Sequence, residues 1–215
     1  MTRAFDNRRP CEDNSPTIPL CDLLMKRIVL ASASPRRKEL LEQIGLRFEV
    51  EPTGYDEETT SASDPHELAK ELSLGKARAA ARKHRKALII AADTLVIAVG
   101  KVLGKPHTNA QAREMLRALN GRTHSVITGF TILDAETGKV LSRSVETKVW
   151  MRKLSFKEID AYVRTKEPLD KAGGYAIQGR GAVLVGKIEG DFSNVVGLPL
   201  TLVAEALKEF GVQVL

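Results

Sequence analysis

Ser32, Ser34, Arg36 and Arg37 crowd into one short stretch, Leu30-Ala31-Ser32-Ala33-Ser34-Pro35-Arg36-Arg37-Lys38-Glu39-Leu40-Leu41. Residues 28–31 are apolar and β-prone, Ser34 suits a helix N-cap and Pro35 suits the first helical position. Leu40, Leu41 and Ile44 supply an inward face before Gly45 stops the helix. Free backbone N–H groups and the positive end of the helix dipole then lie beside two guanidinium groups and two hydroxyls. That is an anion trap, and a phosphate chain fits it. Guanidinium suits bidentate phosphate contact, so Ser32, Ser34, Arg36 and Arg37 are the candidate cradle. Taken alone, the same residues also describe an ordinary capped helix with solvated arginines.

Related chemistry returns at the ends of other apolar segments. Ala91-Ala92-Asp93-Thr94 follows the apolar run 88–92, which places Asp93 at an expected strand end. Leu103-Gly104-Lys105-Pro106 holds a lysine between a glycine and a proline, and Lys76 falls on an expected helix; both add positive charge. Tyr175-Ala176-Ile177-Gln178-Gly179-Arg180-Gly181 precedes Gly190-Asp191-Phe192-Ser193-Asn194-Val195-Val196-Gly197-Leu198-Pro199-Leu200. With Asn120-Gly121-Arg122-Thr123-His124-Ser125-Val126-Ile127-Thr128-Gly129 and Pro168-Leu169-Asp170-Lys171-Ala172-Gly173-Gly174-Tyr175, these motifs resemble the Maf family of nucleoside triphosphate pyrophosphatases from about residue 27 to 210. Several motifs in one register are far more specific than any one of them.

The resemblance implies a mixed, twisted α/β sheet with flanking helices, split into two lobes around a nucleotide cleft, as in inosine triphosphatase-like folds. It implies hydrolysis of a nucleoside triphosphate between the α and β phosphates, with Asp93 as proton acceptor. Such a reaction needs cations on the phosphate chain, carboxylates on a divalent metal and a water in line with the α-phosphorus. Magnesium is the expected ion, with manganese as the alternative. Asp93 and Glu57, the latter in the run Asp56-Glu57-Glu58, are the expected metal-side carboxylates, and Lys105 completes the catalytic set. A plain surface role for Glu57 stays open.

By the same resemblance Arg36, Thr94 and Gln178 select the base. An amide offers one donor and one acceptor, complementing O4 and N3–H of thymine or uracil, so dTTP and UTP are the expected substrates. A 7-methylguanosine triphosphate pyrophosphatase and a nucleotide-binding regulator of cell division are the alternatives. Glycine stands at Gly104 where family members often carry an acid.

Composition sets looser bounds. Of 215 residues, 43% are hydrophobic, enough to bury a core. The net charge of +6 favours anionic ligands, but its lysines and arginines are interspersed with acids and lack aromatic interleaving, which argues against an extended nucleic-acid surface. Cys11 and Cys21 lie outside every motif, and the four histidines (His66, His84, His107, His124) are scattered, so no zinc site or Cys–His nucleophile is indicated; His124 alone sits inside a family-like segment. Residues 1–26 read as a poorly ordered extension with a short helix at 18–25, and 27–215 as one two-lobed catalytic domain. With no membrane-spanning stretch or signal-like apolar core, the expectation is a cytoplasmic enzyme that binds no membrane. The resemblance adds a homodimer as the expected assembly.

The elements that must position these groups alternate in type. Strands are expected at 28–31, 48–50 and 88–92, with a hairpin over 95–103 turning near Gly100. Asp64-Pro65-His66-Glu67 reads as an Asp/Glu capping box with proline at the first position, opening a helix toward Lys83 that carries Leu68, Leu72 and Ala79 inward. Thr108 starts another, with Ala112, Met115, Leu116 and Leu119 on one face and Gly121 ending it. Residues 126–133 and 139–151 pair around a turn at 134–138, and Ser155-Phe156-Lys157-Glu158 is a capping box. Two short strands are expected within 173–190, and a final amphipathic helix over 200–210.

Overall fold

Strand β1 (Arg27–Leu30) forms the start of a mixed sheet in the computed structural model, which describes residues 26–55 and 62–215. The expected helix at 18–25 and the acidic run holding Glu57 lie outside the described residues. Among those residues the seven strands run β2-β1-β3-β5-β6-β7, with β4 (Lys101–Leu103) on a further stretch of β3. β1 pairs parallel with β2 (Glu49–Val50) and β3 (Ala87–Ala98). All other pairings are antiparallel: β3 with β4 and β5 (Thr123–Asp134), β5 with β6 (Val140–Met151), and β6 with β7 (Val185–Glu189).

Helix starts follow the sequence. Ser34 caps α1 (Pro35–Gln43), accepting from Arg37 N, and Gly45 follows its end at φ +71°. Asp64 caps α2 (Pro65–Ala81) by accepting from His66 N and Glu67 N. Glu67 does not return the bond and instead accepts from Lys70 at 2.7 Å. Thr108 caps α3 (Asn109–Leu119), and the Ser155–Glu158 box at α4 (Phe156–Arg164) is complete in both directions.

Three expectations need correction. The 95–103 hairpin forms and turns at Val99-Gly100, but its first arm is not separate from the strand before it: β3 runs unbroken for 12 residues, so Asp93 is mid-strand and not at a strand end. The apolar run simply continues past Asp93-Thr94 into Leu95-Val96, and β5 pairs along its whole length. The inward face of α2 is Ala69, Leu72, Ser73, Ala77 and Ala80, with Leu68 and Ala79 only half-buried. The glycine-rich segment holds one strand, β7, preceded by 3₁₀ turns at Ala172–Gly174 and Gly179–Leu184. Gly173, Gly174 and Gly179 all take positive φ, which breaks an extended strand. A five-residue helix, α5 (Phe192–Val196), precedes α6 (Leu200–Lys208) and was not expected.

The core follows strand alternation. Leu88, Ile90 and Ala92 of β3 join Leu40, Leu41, Leu198, Val203 and Leu207 under α1 and α6. Further along the same face Val96 and Ala98 join Ala112, Leu116, Leu119, Ile159 and Val163 under α3 and α4. α2 covers the opposite face, with Ala77 and Ala80 on Ile89 and Ala91, and Ala69 and Leu72 on Leu95 and Ile127.

Candidate active site

One edge of β3 is interrupted. β1 leaves it after Leu30 pairs with Ile90, and β4 takes it up again at Val96. Between them, residues 91–95 have β5 on one side and no strand on the other among the described residues. A cleft of about 600 Å³ opens at this gap. Asp93 and Thr94 are successive residues there, so their side chains leave opposite faces of the sheet.

On the Asp93 face, Lys76 continues the buried stripe of α2 and donates from Nζ to Asp93 Oδ1 at 2.5 Å. Both side chains are about seven-eighths buried, at 14% and 12% exposure, so the pair is shielded from screening. α2 reaches this depth because Gly129 pairs with Asp93 across the ladder. A Cβ at Gly129 would lie 2.2 Å from the carbonyl carbon and oxygen of Ala69.

On the Thr94 face, Arg37 is the hub. Its Nε donates to Gly197 O (2.8 Å), Nη1 to Ser32 Oγ (3.2 Å) and Nη2 to Thr94 Oγ1 (3.0 Å). Gly197 has φ +130°, a backbone conformation that favours glycine and in which its carbonyl accepts from Arg37. Thr94 Oγ1 is 2.9 Å from Thr128 Oγ1, which donates to Asn194 O (2.9 Å). The buried Asn194 amide donates to Val126 O and Thr147 Oγ1, tying α5 across β5 and β6. Ser34 N donates to Ser32 Oγ at 3.2 Å. Arg37, expected in the phosphate cradle with Arg36, therefore turns inward.

Arg36, Lys105 and Gln178 line the same cleft. None of the three makes a side-chain hydrogen bond or ion pair among the described residues, so Gln178 does not bridge its own loop. Glu167 builds that loop instead, accepting from Tyr162 OH (2.9 Å), Arg180 N (3.2 Å) and Gly181 N (3.0 Å). Burial and the Glu167 carboxylate push the Tyr162 hydroxyl upward, keeping it a donor. Tyr175 lines the cleft and its hydroxyl lies 2.6 Å from His124 Nε2. Burial lowers His124 to about 4, so the ring is neutral; Nδ1 finds no partner among the described residues. At the rim, partial burial disfavours the Asp170 carboxylate, yet Lys171 at 2.6 Å and the Arg36 charge hold it below the usual range.

Ser32, Ser34, Arg36, Arg37, Lys76, Asp93, Thr94, Lys105 and Gln178 thus line one cleft; Glu57 lies outside the described residues. Among those residues no group of three His, Cys, Asp or Glu side chains is placed to hold a metal. Thr128, Asn194 and Glu167, which position the site, were not singled out from sequence. Asn194 carried a signal, an amide within an apolar run, whereas Thr128 and Glu167 look ordinary until the chain is folded.

Residues 27–210 match the family model described as Maf-like protein. The chain belongs to the Maf family. It is 52% identical over 191 residues to the dTTP/UTP pyrophosphatase of Methanosarcina mazei, covering 88% of this chain and 97% of that one. It is 51% identical over 190 residues to the dTTP/UTP pyrophosphatase of Moorella thermoacetica, covering 88% and 98%. A HAM1 protein from Coxiella burnetii superposes with a TM-score of 0.51 at 18% identity, covering 86% of this chain and all of that one, and shares the fold. The Maf chain has no helix, among its described residues, long and apolar enough to cross a membrane.

Proposed function

We propose that this protein hydrolyses dTTP and UTP to the nucleoside monophosphate and pyrophosphate, clearing nucleotide pools in the cytoplasm. The observation that carries this reading is the composition of one cleft. Arg36, Lys105 and the Gln178 amide, which make no side-chain hydrogen bond or ion pair among the described residues, stand beside a lysine-anchored carboxylate. The names of the relatives in Methanosarcina and Moorella support the same substrates.

In this mechanism Arg36 and Lys105 hold the triphosphate and balance the charge of the departing pyrophosphate. Lys76 fixes Asp93 through Oδ1, and Oδ2, which accepts no hydrogen bond among the described residues, takes the proton of the attacking water. The donor set fits magnesium, which binds through one or two carboxylates plus substrate phosphates rather than a protein cage. Asp93 would hold the ion, with Glu57 as the second carboxylate proposed from sequence; the bound ion would lower the pKa of its water. The Gln178 amide matches O4 and N3–H of thymine or uracil, with Thr94 across the cleft.

Pyrophosphate release is measured with magnesium across dTTP, UTP, dCTP, dATP, dGTP and 7-methylguanosine triphosphate. The expected result is preferred turnover of dTTP and UTP with equimolar monophosphate and pyrophosphate. Orthophosphate as first product, or preference for the methylated purine, overturns the proposal.

A further inference from the structure

Counting hydrogens around Arg37 gives each neighbouring hydroxyl a fixed polarity. Ser32 Oγ accepts from Ser34 N and from Arg37 Nη1, so both its lone pairs are engaged and only its O–H is left. Thr128 spends its single hydrogen on Asn194 O, so across the 2.9 Å contact Thr94 is the donor and Thr128 the acceptor. Thr94 also accepts from Arg37 Nη2, which leaves it one lone pair and no hydrogen. Ser32 and Thr94 both line the cleft.

We propose that Arg37 is a positioning residue that sets the two hydroxyls to opposite polarity, Ser32 as a donor toward the phosphates and Thr94 as an acceptor toward the nucleoside. This rests on the nucleotide reading above. The ligand must then bring an acceptor to Ser32, which a phosphate oxygen supplies, and a donor to Thr94, which an imide N–H or a sugar hydroxyl supplies. Cytosine, whose N3 is a lone pair, meets a lone pair at an imide-reading Thr94. Three of the five guanidinium N–H groups are aimed at Gly197, Ser32 and Thr94.

The test is calorimetric binding of α,β-methylene-dTTP, its N3-methyl and 3′-deoxy derivatives, and inorganic tripolyphosphate to the wild type, Arg37→Lys, Thr94→Val and Thr94→Ser. Lysine keeps the charge but cannot span three acceptors. In the wild type one of the two derivatives binds about tenfold more weakly than the parent, and which one identifies the donor read by Thr94. That penalty is expected to shrink in Arg37→Lys and Thr94→Val, leaving only the share read by Gln178, and to persist in full in Thr94→Ser. If Arg37→Lys weakens all four ligands by one factor and keeps the penalty, Arg37 is a phosphate ligand and the proposal fails. A penalty that stays undiminished in Thr94→Val, or that the wild type never shows, also overturns it. A wild type that binds tripolyphosphate but no nucleotide overturns the nucleotide reading itself, and this inference with it.

Discussion

Gly129→Ala tests whether the depth of α2 sets the catalytic pair. The new methyl carbon would lie 2.2 Å from Ala69 C and O and 2.6 Å from Lys70 N, all main-chain atoms. Reaching ordinary contact near 3.4 Å requires a shift of about 1.2 Å, and no flexible side chain can supply it. Gly129 is held by β3 on one side and β6 on the other, so the helix must move. Overpacking of this kind costs about 1–3 kcal/mol, and with rigid backbone on both sides about 3 is expected. Lys76 is two turns further along the same helix, so the displacement carries its ammonium away from Asp93 and breaks the 2.5 Å hydrogen bond. A misplacement of this size lowers turnover by roughly 10²-fold. Urea unfolding by circular dichroism reads the first quantity and steady-state pyrophosphate release the second. A variant within about 0.5 kcal/mol of wild type and with unchanged kcat would refute the argument, because α2 would then have slack that its packing denies.

Asp93→Asn should bind α,β-methylene-dTTP as well as wild type yet lose at least roughly 10²-fold in turnover; undiminished pyrophosphate release would reassign the proton acceptor. Gln178→Glu removes the amide donor and should depress dTTP and UTP hydrolysis by about 1–3 kcal/mol in kcat/KM while sparing 7-methylguanosine triphosphate; an equal fall for all three would make Gln178 a loop residue. His124 makes folding acid-sensitive. Its folded pKa of about 4 lies below the ordinary 6.5, so as pH falls between them the unfolded chain takes up a proton that the native one refuses. Moving from pH 7 to about pH 4.5 should therefore cost about 2 kcal/mol through this group, and His124→Phe should show a pH dependence of urea stability smaller by that amount.

The helix starts were legible because they are local. Ser34-Pro35, Asp64-Pro65, Thr108 and Ser155–Glu158 each satisfy their caps within four residues, and all four form as expected. The gathering of Ser32, Arg36, Asp93, Lys105 and Gln178 around one cleft followed from motif order. What sequence could not give is partnership: Arg36 and Arg37 are adjacent, identical in type and both line the cleft, and only the fold decides that Arg37 donates to Gly197, Ser32 and Thr94. The course of β3 was missed for a related reason. A polar pair inside an apolar run looks like a terminus, and nothing local reveals that β5 pairs straight past it. Of the two strands expected within 173–190 only the second forms, because positive φ at Gly173, Gly174 and Gly179 yields turns.

The unbroken β3–β5 ladder has a dynamic consequence. Ten successive residue pairs, Leu88↔Asp134 through Ile97↔Ser125, pass beneath the cleft, so both halves of the molecule share one set of backbone hydrogen bonds and no linker can act as a hinge. Asp93 and Thr94 belong to this set, whereas Lys105 and Gln178 sit on loops at its two flanks. Opening events spread through a protein from its least stable units to its most stable ones. The groups proposed to hold the phosphates and the base can therefore move while the Asp93 carboxylate stays on the shared ladder, and release of product is expected to need only a loop excursion.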